Sequence, residues 1–197
     1  MDSSRRLIIC ITGASGAAYG KRALEITKEC GVETFLVISR AGETTLRYEM
    51  DLGAADLAPL CSDIFKIGDI AAPIASGSFS TMGMLIAPCS VNTMSQIASG
   101  VTGNLISRAA DVVLKERRRL VMMVRESPFH LGHLRTMTQL TEMGAIIAPP
   151  LPAFYAEPMT IDDMITQSVC RSLDLFGLHP TGMRRWGEDL EKGKRGS

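Results

Sequence analysis

The sequence predicts a doubly wound α/β domain built on a parallel sheet, and three observations carry that prediction. Short, continuous apolar runs rich in β-branched or bulky residues recur at 7–11, 34–38, 84–87 and 120–124. Runs of this kind are strands covered on both faces. Longer stretches of helical character separate them, and strands alternating with helices give a parallel sheet with right-handed crossovers. A glycine-rich turn, Thr12-Gly-Ala-Ser-Gly-Ala17, follows the first run directly.

The elements follow in order. After the strand at 7–11 and its turn, a helix is expected over about 17–29, closed by Cys30-Gly31 with glycine just past the helix end. The second strand is 34–38 and a helix follows over 41–47, while 51–59 carries no clear period. Residues 67–81 read as irregular, with the Pro, Gly and Ser of a loop at 72–80. The third strand, 84–87, leads through Pro88-Cys-Ser-Val-Asn-Thr93 to a helix starting near Met94. Thr102-Gly-Asn104 opens the helix that carries Arg108 and Lys115, and 120–124 is the fourth strand. A helix over 133–143, a short fifth strand at 145–148, a proline-stiffened stretch at 149–152 and a last helix over 161–176 complete the pattern. The expected organisation is one domain over 1–197, with a polar tail from about 181 that holds the only tryptophan, Trp186.

Composition narrows the function. Lys+Arg is 21 and Asp+Glu is 21, so the formal net charge is zero, which disfavours a nucleic-acid binder that must neutralise phosphates. No apolar run reaches the ~18 residues of a spanning helix, and no signal peptide is read at the N-terminus. Cys10, Cys30, Cys61, Cys89 and Cys170 are scattered and form no C-x-x-C, which argues against structural zinc or a disulfide framework and fits a reducing, cytoplasmic location. A hydrophobic content of 46% is high for a charge-neutral chain, and part of that surface is expected between subunits.

The candidate functional residues gather at strand ends, where open parallel sheets bind ligands. Gly13-Ala-Ser-Gly16 lets the backbone approach a phosphate, with free N–H groups on the helix that follows and a hydroxyl from Ser15. Its spacing matches neither G-x-G-x-x-G nor the Walker pattern, and a tight βα turn alone also requires glycine. Ser90, Asn92 and Thr93 offer donors at a second junction, where ordinary N-capping is the alternative. Ser39 ends the second strand on the same edge. Arg125 and Glu126 end the apolar fourth strand and, as neighbours, point in different directions. One is placed to hold a phosphate, and the other, in a partly dry pocket, to exchange protons. Arg108 and Lys115 lie seven apart, on one helix face. Arg117-Arg-Arg119 reads as a solvated face or subunit contact. Tyr155 is either a core residue with a satisfied hydroxyl or a rigid wall of the site. His130 and His133 lack the carboxylate neighbours of a metal site, and none is expected.

Together, Thr12-Gly-Ala-Ser-Gly-Ala-Ala-Tyr-Gly20, the block 104–115, Arg125-Glu-Ser-Pro128, Phe154-Tyr155 and Arg171 resemble the UbiX-type flavin prenyltransferases, or UbiX/Pad proteins, over about 7–186. The resemblance implies a three-layer Rossmann or flavodoxin-like fold and a dodecamer. It implies reduced FMN as acceptor and dimethylallyl phosphate, or its pyrophosphate, as donor. The dimethylallyl group is joined to flavin N5 and closed at C6, and the prenylated FMN serves a UbiD-type decarboxylase. It assigns Gly13, Ala14, Ser15, Ser39, Ser90, Thr93 and Arg125 to FMN. Tyr155 and Arg171 fall to dimethylallyl phosphate, with Arg108, Lys115 and Glu126 around the same phosphate. Glu126, Ser15 and Lys115 are the expected catalytic residues. The chain departs at Ile70, where many members carry a tryptophan. An oxidative FMN-dependent cysteine decarboxylase of similar fold is the alternative in another class, but those enzymes use a histidine near the first helix and no histidine precedes His130 here. A non-catalytic FMN carrier is the third reading.

Overall fold

The computed structural model describes residues 5–187; the first four residues and the polar stretch 188–197 lie outside it. Its sheet is parallel throughout, with six strands: β1 (Arg6–Ile11), β2 (Glu33–Ile38), β3 (Asp63–Phe65), β4 (Gly83–Cys89), β5 (Arg119–Val124) and β6 (Ile146–Ile147). The spatial order is β3-β2-β1-β4-β5-β6, so the winding reverses between β1 and β4. The helices are α1 (Ala17–Glu29), α2 (Arg40–Met50), α3 (Ala54–Leu57), α4 (Val91–Ala98), α5 (Leu105–Lys115), α6 (Leu131–Glu142) and α7 (Ile161–Asp174).

Strand alternation divides the interior into two cores. Leu7, Ile9 and Ile11 of β1 face one side, with Leu85 and Ala87 of β4 and apolar residues of α1, α2 and α7. Ile8 and Cys10 face the other, with Met84 and Ile86 and the buried faces of α4, α5 and α6. This double coverage is why the strands read as unbroken apolar runs.

Several boundaries differ from expectation, each for a local reason. The edge strand β3 was not expected; it is three residues long with Asp63 exposed, too short to show a period. The stretch 51–59 forms α3 and the start of a 3-10 turn, Ala58–Leu60. α4 begins at Val91, ahead of Met94, because the Ser90 hydroxyl accepts from Thr93 N. α6 begins at Leu131 because His130 Nδ1 accepts from Gly132 N at 3.0 Å. β4 runs on through Pro88, and its pairing with β5 shifts register between Ile86 and Cys89, the irregularity that admits a residue without a donor into a central strand. The expected tail does not begin at 181: Met183 is buried, and Arg184 exchanges two hydrogen bonds of 3.0 Å with the Gln167 side chain of α7.

α1 lies unusually close to the sheet at the point where the winding reverses. A Cβ on Gly20 would stand 2.5 Å from the Ala87 carbonyl oxygen and 2.5 Å from Ile11 Cγ1. Gly20→Ala should therefore cost about 1–3 kcal/mol through overpacking. Urea denaturation should show a lower midpoint at unchanged slope.

Candidate active site

Thr12 directly follows β1, is fully buried, and joins the ends of β1 and β4 across the reversal. Its hydroxyl donates to Pro88 O at 2.8 Å and accepts from Ser90 N at 2.7 Å, while its own N–H donates to Pro88 O at 3.2 Å. The turns after β1 and β4 are thereby held side by side.

Around this bridge the expected residues assemble in part. Gly13 has no room for a side chain, since its Cβ would meet Ala41 Cβ at 2.3 Å. Gly16 takes φ 108 at the start of α1, a conformation that favours glycine. Ser39 caps α2, accepting from Gly42 N at 3.0 Å, and its N–H donates to Ile11 O at 3.0 Å. Ser90 caps α4 and its hydroxyl also donates to Thr93 Oγ1 at 3.1 Å. Capping and ligand binding are thus not exclusive readings at Ser39 and Ser90. The N-termini of α1, α2 and α4 meet on one edge, where their helix dipoles favour negative charge. Arg125 joins them through its N–H to Cys89 O at 3.1 Å, and its charge acts on both Glu49 and Tyr19. This donor set, a cation beside hydroxyls and a backbone cleared of side chains, fits a phosphate ester carrying a flat ring system.

One residue of the site was not expected. Glu49, on α2, accepts from Gly16 N at 2.9 Å, from Ala17 N at 2.8 Å and from the Ser15 hydroxyl. Burial pushes its carboxyl up, but those bonds and the Arg125 charge outweigh it and hold the group below the ordinary glutamate range. The sequence carried one faint signal, an acidic residue amid the polar surface of α2; only the packing of α2 on α1 gives it a role.

The other expected residues stand apart. Glu126 is exposed and accepts from Ser127 N at 2.8 Å, so the partly dry pocket expected for it is not formed within one chain. Arg108 pairs with Asp111 at 2.9 Å and Lys115 with Glu116 at 2.5 Å, both on the outer side of α5. Tyr155, in the 3-10 turn Phe154–Ala156, is exposed rather than core and meets Trp186 edge-on at 5.7 Å. Arg171, on α7, is exposed. α5 and α7 cover opposite faces of the sheet, so one chain does not bring its two sets of cations together. Arg118, expected on a solvated face, instead clamps the 72–80 loop, donating to Gly77 O and Phe79 O at 2.7 Å each.

The cysteines are all free. Burial pushes the Cys61 and Cys170 thiols up to about 11, and Cys10 and Cys89 well above their usual range, which leaves none activated as a nucleophile. Among the described residues no group of three or more His, Cys, Asp or Glu is arranged around a metal position, and no helix is long and apolar enough to cross a membrane.

Comparison with known proteins places this geometry. A model of the Flavoprotein family matches residues 1–170. The flavin prenyltransferase UbiX of Thauera aromatica is 52% identical over 187 residues, which span 95% of this chain and 96% of the relative. The chain belongs to the flavin prenyltransferase family. The Escherichia coli K12 member is 52% identical over 88% of this chain and 93% of its own. Among solved structures, the family member AnUbiX, crystallised with FMN and dimethylallyl pyrophosphate, superposes with a TM-score of 0.91 at 46% identity, over 93% of this chain and 97% of its own. A dodecameric FMN-dependent UbiX-like decarboxylase from Escherichia coli gives 0.89 at 44% identity, over 92% and 98%. The peptidyl-cysteine decarboxylase EpiD, at 16% identity and a TM-score of 0.57, shares the fold alone with this flavin prenyltransferase family member.

Two outcomes test the site. Thr12→Val removes both bonds of the bridging hydroxyl and should cost about 1–3 kcal/mol, with weaker flavin binding, whereas Thr12→Ser keeps the hydroxyl and loses less; urea denaturation and FMN titration measure both. Glu49, held below its ordinary value, contributes stability that is complete above about pH 4.3 and is lost as pH falls through its lower folded value. Melting curves of wild type and Glu49→Gln should therefore differ at neutral pH and converge as pH falls below the ordinary glutamate range.

Proposed function

We propose that this protein transfers a dimethylallyl group from dimethylallyl phosphate to reduced FMN, forming bonds at flavin N5 and C6 and giving prenylated FMN for a UbiD-type decarboxylase. The observation that carries the proposal is the edge built on Thr12, where three helix N-termini, Ser39, Ser90, Thr93 and Arg125 converge. Family membership supports the reaction class, and AnUbiX with FMN and dimethylallyl pyrophosphate supports the ligand pair.

In this reading Gly13, Ala14, Ser15, Ser39, Ser90, Thr93 and Arg125 hold FMN. The turn at Gly13 admits the ring, and the hydroxyls and Arg125 take the phosphate. The bond that breaks is the allylic C–O of the donor. Its electron pair leaves with phosphate, and the Arg108, Lys115 and Arg171 cations offset the growing charge. Tyr155 offers an aromatic face to the electron-poor allyl group. The N5 proton leaves as the first bond forms. The second ring closes when the transferred group's double bond takes up a proton and C6 bonds to the carbon left electron-poor, losing its own proton. The site must therefore supply one proton as well as acceptors. Ionised Glu49, hydrogen-bonded to Ser15, is one at the flavin edge. Glu126 serves the departing phosphate.

The domain spans 1–197 and acts as a homo-oligomer in a cytoplasmic location. The dodecameric relative supports the assembly. So do the cations on opposite faces of the sheet, and the exposed Leu151, Phe154, Met159 and Ile161 around Tyr155, which leave apolar surface for a second subunit to cover. Reduced, scattered cysteines support the location.

Anaerobic incubation with reduced FMN and dimethylallyl phosphate should add one five-carbon unit to the flavin, read by mass spectrometry. Absence of the adduct with both the phosphate and the pyrophosphate donor would sink the proposal. Glu126→Gln should bind FMN as wild type does and turn over about 10²–10⁴-fold more slowly.

A further inference from the structure

We propose that Asp174 is a positioning residue for the prenyl donor's phosphate, acting through Arg171. This rests on the reading of Arg171 as a donor contact. Asp174 ends α7 with its side chain only 16% exposed. One carboxylate oxygen accepts from Arg185 Nη2 at 2.5 Å and meets His179 Nδ1 at 3.1 Å. The other accepts from Arg185 Nη1 at 3.2 Å and lies 3.5 Å from Arg171 Nη1. The Arg185 hydrogen bond, with help from His179, holds the Asp174 carboxyl below its usual range against burial, so it stays ionised.

The two arginines are held differently. Arg185 grips the carboxylate with both Nη atoms, whereas Arg171 sits at the long end of a single contact with its side chain 60% exposed. An arriving phosphate takes Arg171, the more exposed and more weakly held of the two, while the Arg185–Asp174 pair remains as a fixed backstop.

The segment carrying Arg185 also reaches Tyr155. The neighbouring Arg184 exchanges backbone bonds with the buried Gln167 side chain, its Nη1 donates to Ala156 O at 3.1 Å, and Trp186 meets the Tyr155 ring. One segment therefore ties together the residues read as donor contacts, Tyr155 and Arg171, and Asp174 is its charged anchor.

The test uses full-length protein saturated with reduced FMN. Asp174→Asn should raise KM for dimethylallyl phosphate about tenfold, the scale of one charge-assisted contact, with kcat and FMN affinity little changed, and Asp174→Glu should recover most of the loss. Removing a negative charge through space alone predicts a lower KM, so a KM that falls or stays at the wild-type value overturns the role. If Asp174→Asn fails to assemble, Arg185→Met carries the same test: Asp174 loses its two-point anchor and no longer fixes Arg171, so KM should rise, and an unchanged KM overturns the role. A wild-type protein that adds no five-carbon unit overturns the prenyltransferase reading instead, and this role with it.

Discussion

The site depends on the hydroxyl of Thr12. Where β1 and β4 diverge, the backbone contributes the long Thr12 N–H to Pro88 O bond of 3.2 Å, while the register with β5 shifts at the same place and Pro88 has no N–H to give. The Thr12 hydroxyl adds two shorter bonds, donating to Pro88 O at 2.8 Å and accepting from Ser90 N at 2.7 Å. Being fully buried, it has no water to exchange with, so both bonds act at full strength in a low-dielectric setting. The turn after β1 and the cap of α4 are thereby fixed relative to each other before any ligand arrives, which lowers the ordering cost of binding.

Close packing reinforces this. Gly13 meets Ala41, Gly20 meets Ala87 and Ile11, and the Cβ that Gly42 lacks would stand 2.5 Å from Ile11 O. These contacts draw α1 and α2 onto the ends of β1 and β4 without intervening side chains. The same approach brings Glu49 to the start of α1. Its carboxylate then satisfies N–H groups that a helix terminus otherwise leaves open, and sits within reach of the Arg125 charge. The site thus holds an ionised acid and a cation together, an arrangement suited to moving protons beside an anionic ligand.

Much of this was legible in the chain. The apolar runs located β1, β2, β4 and β5 because each strand is buried on both faces, and the glycines and the end of β5 located the sheet edge where the N-termini of α1, α2 and α4 meet Arg125. The residues that escaped notice did so for physical reasons. β3 is too short for a period. Glu49 acquires meaning only where α2 crosses α1, a long-range contact that no local pattern encodes. Arg118 resembled its exposed neighbours Arg117 and Arg119, and only the loop folded against it distinguishes the three. Residues 181–187 looked like a polar tail because their bonds go to α7 and to the turn at Tyr155 rather than to one another.

The division of cations between the two faces of the sheet has a genetic consequence. If one pocket draws on Arg108 from one subunit and Arg171 from another, a lesion at either position empties every pocket of a uniform assembly. Two such defective alleles expressed in one cell would form mixed particles in which some pockets inherit both intact side chains. Partial restoration between alleles, absent when both lesions lie on the same face, is the signature such an architecture would leave in a heterozygous strain.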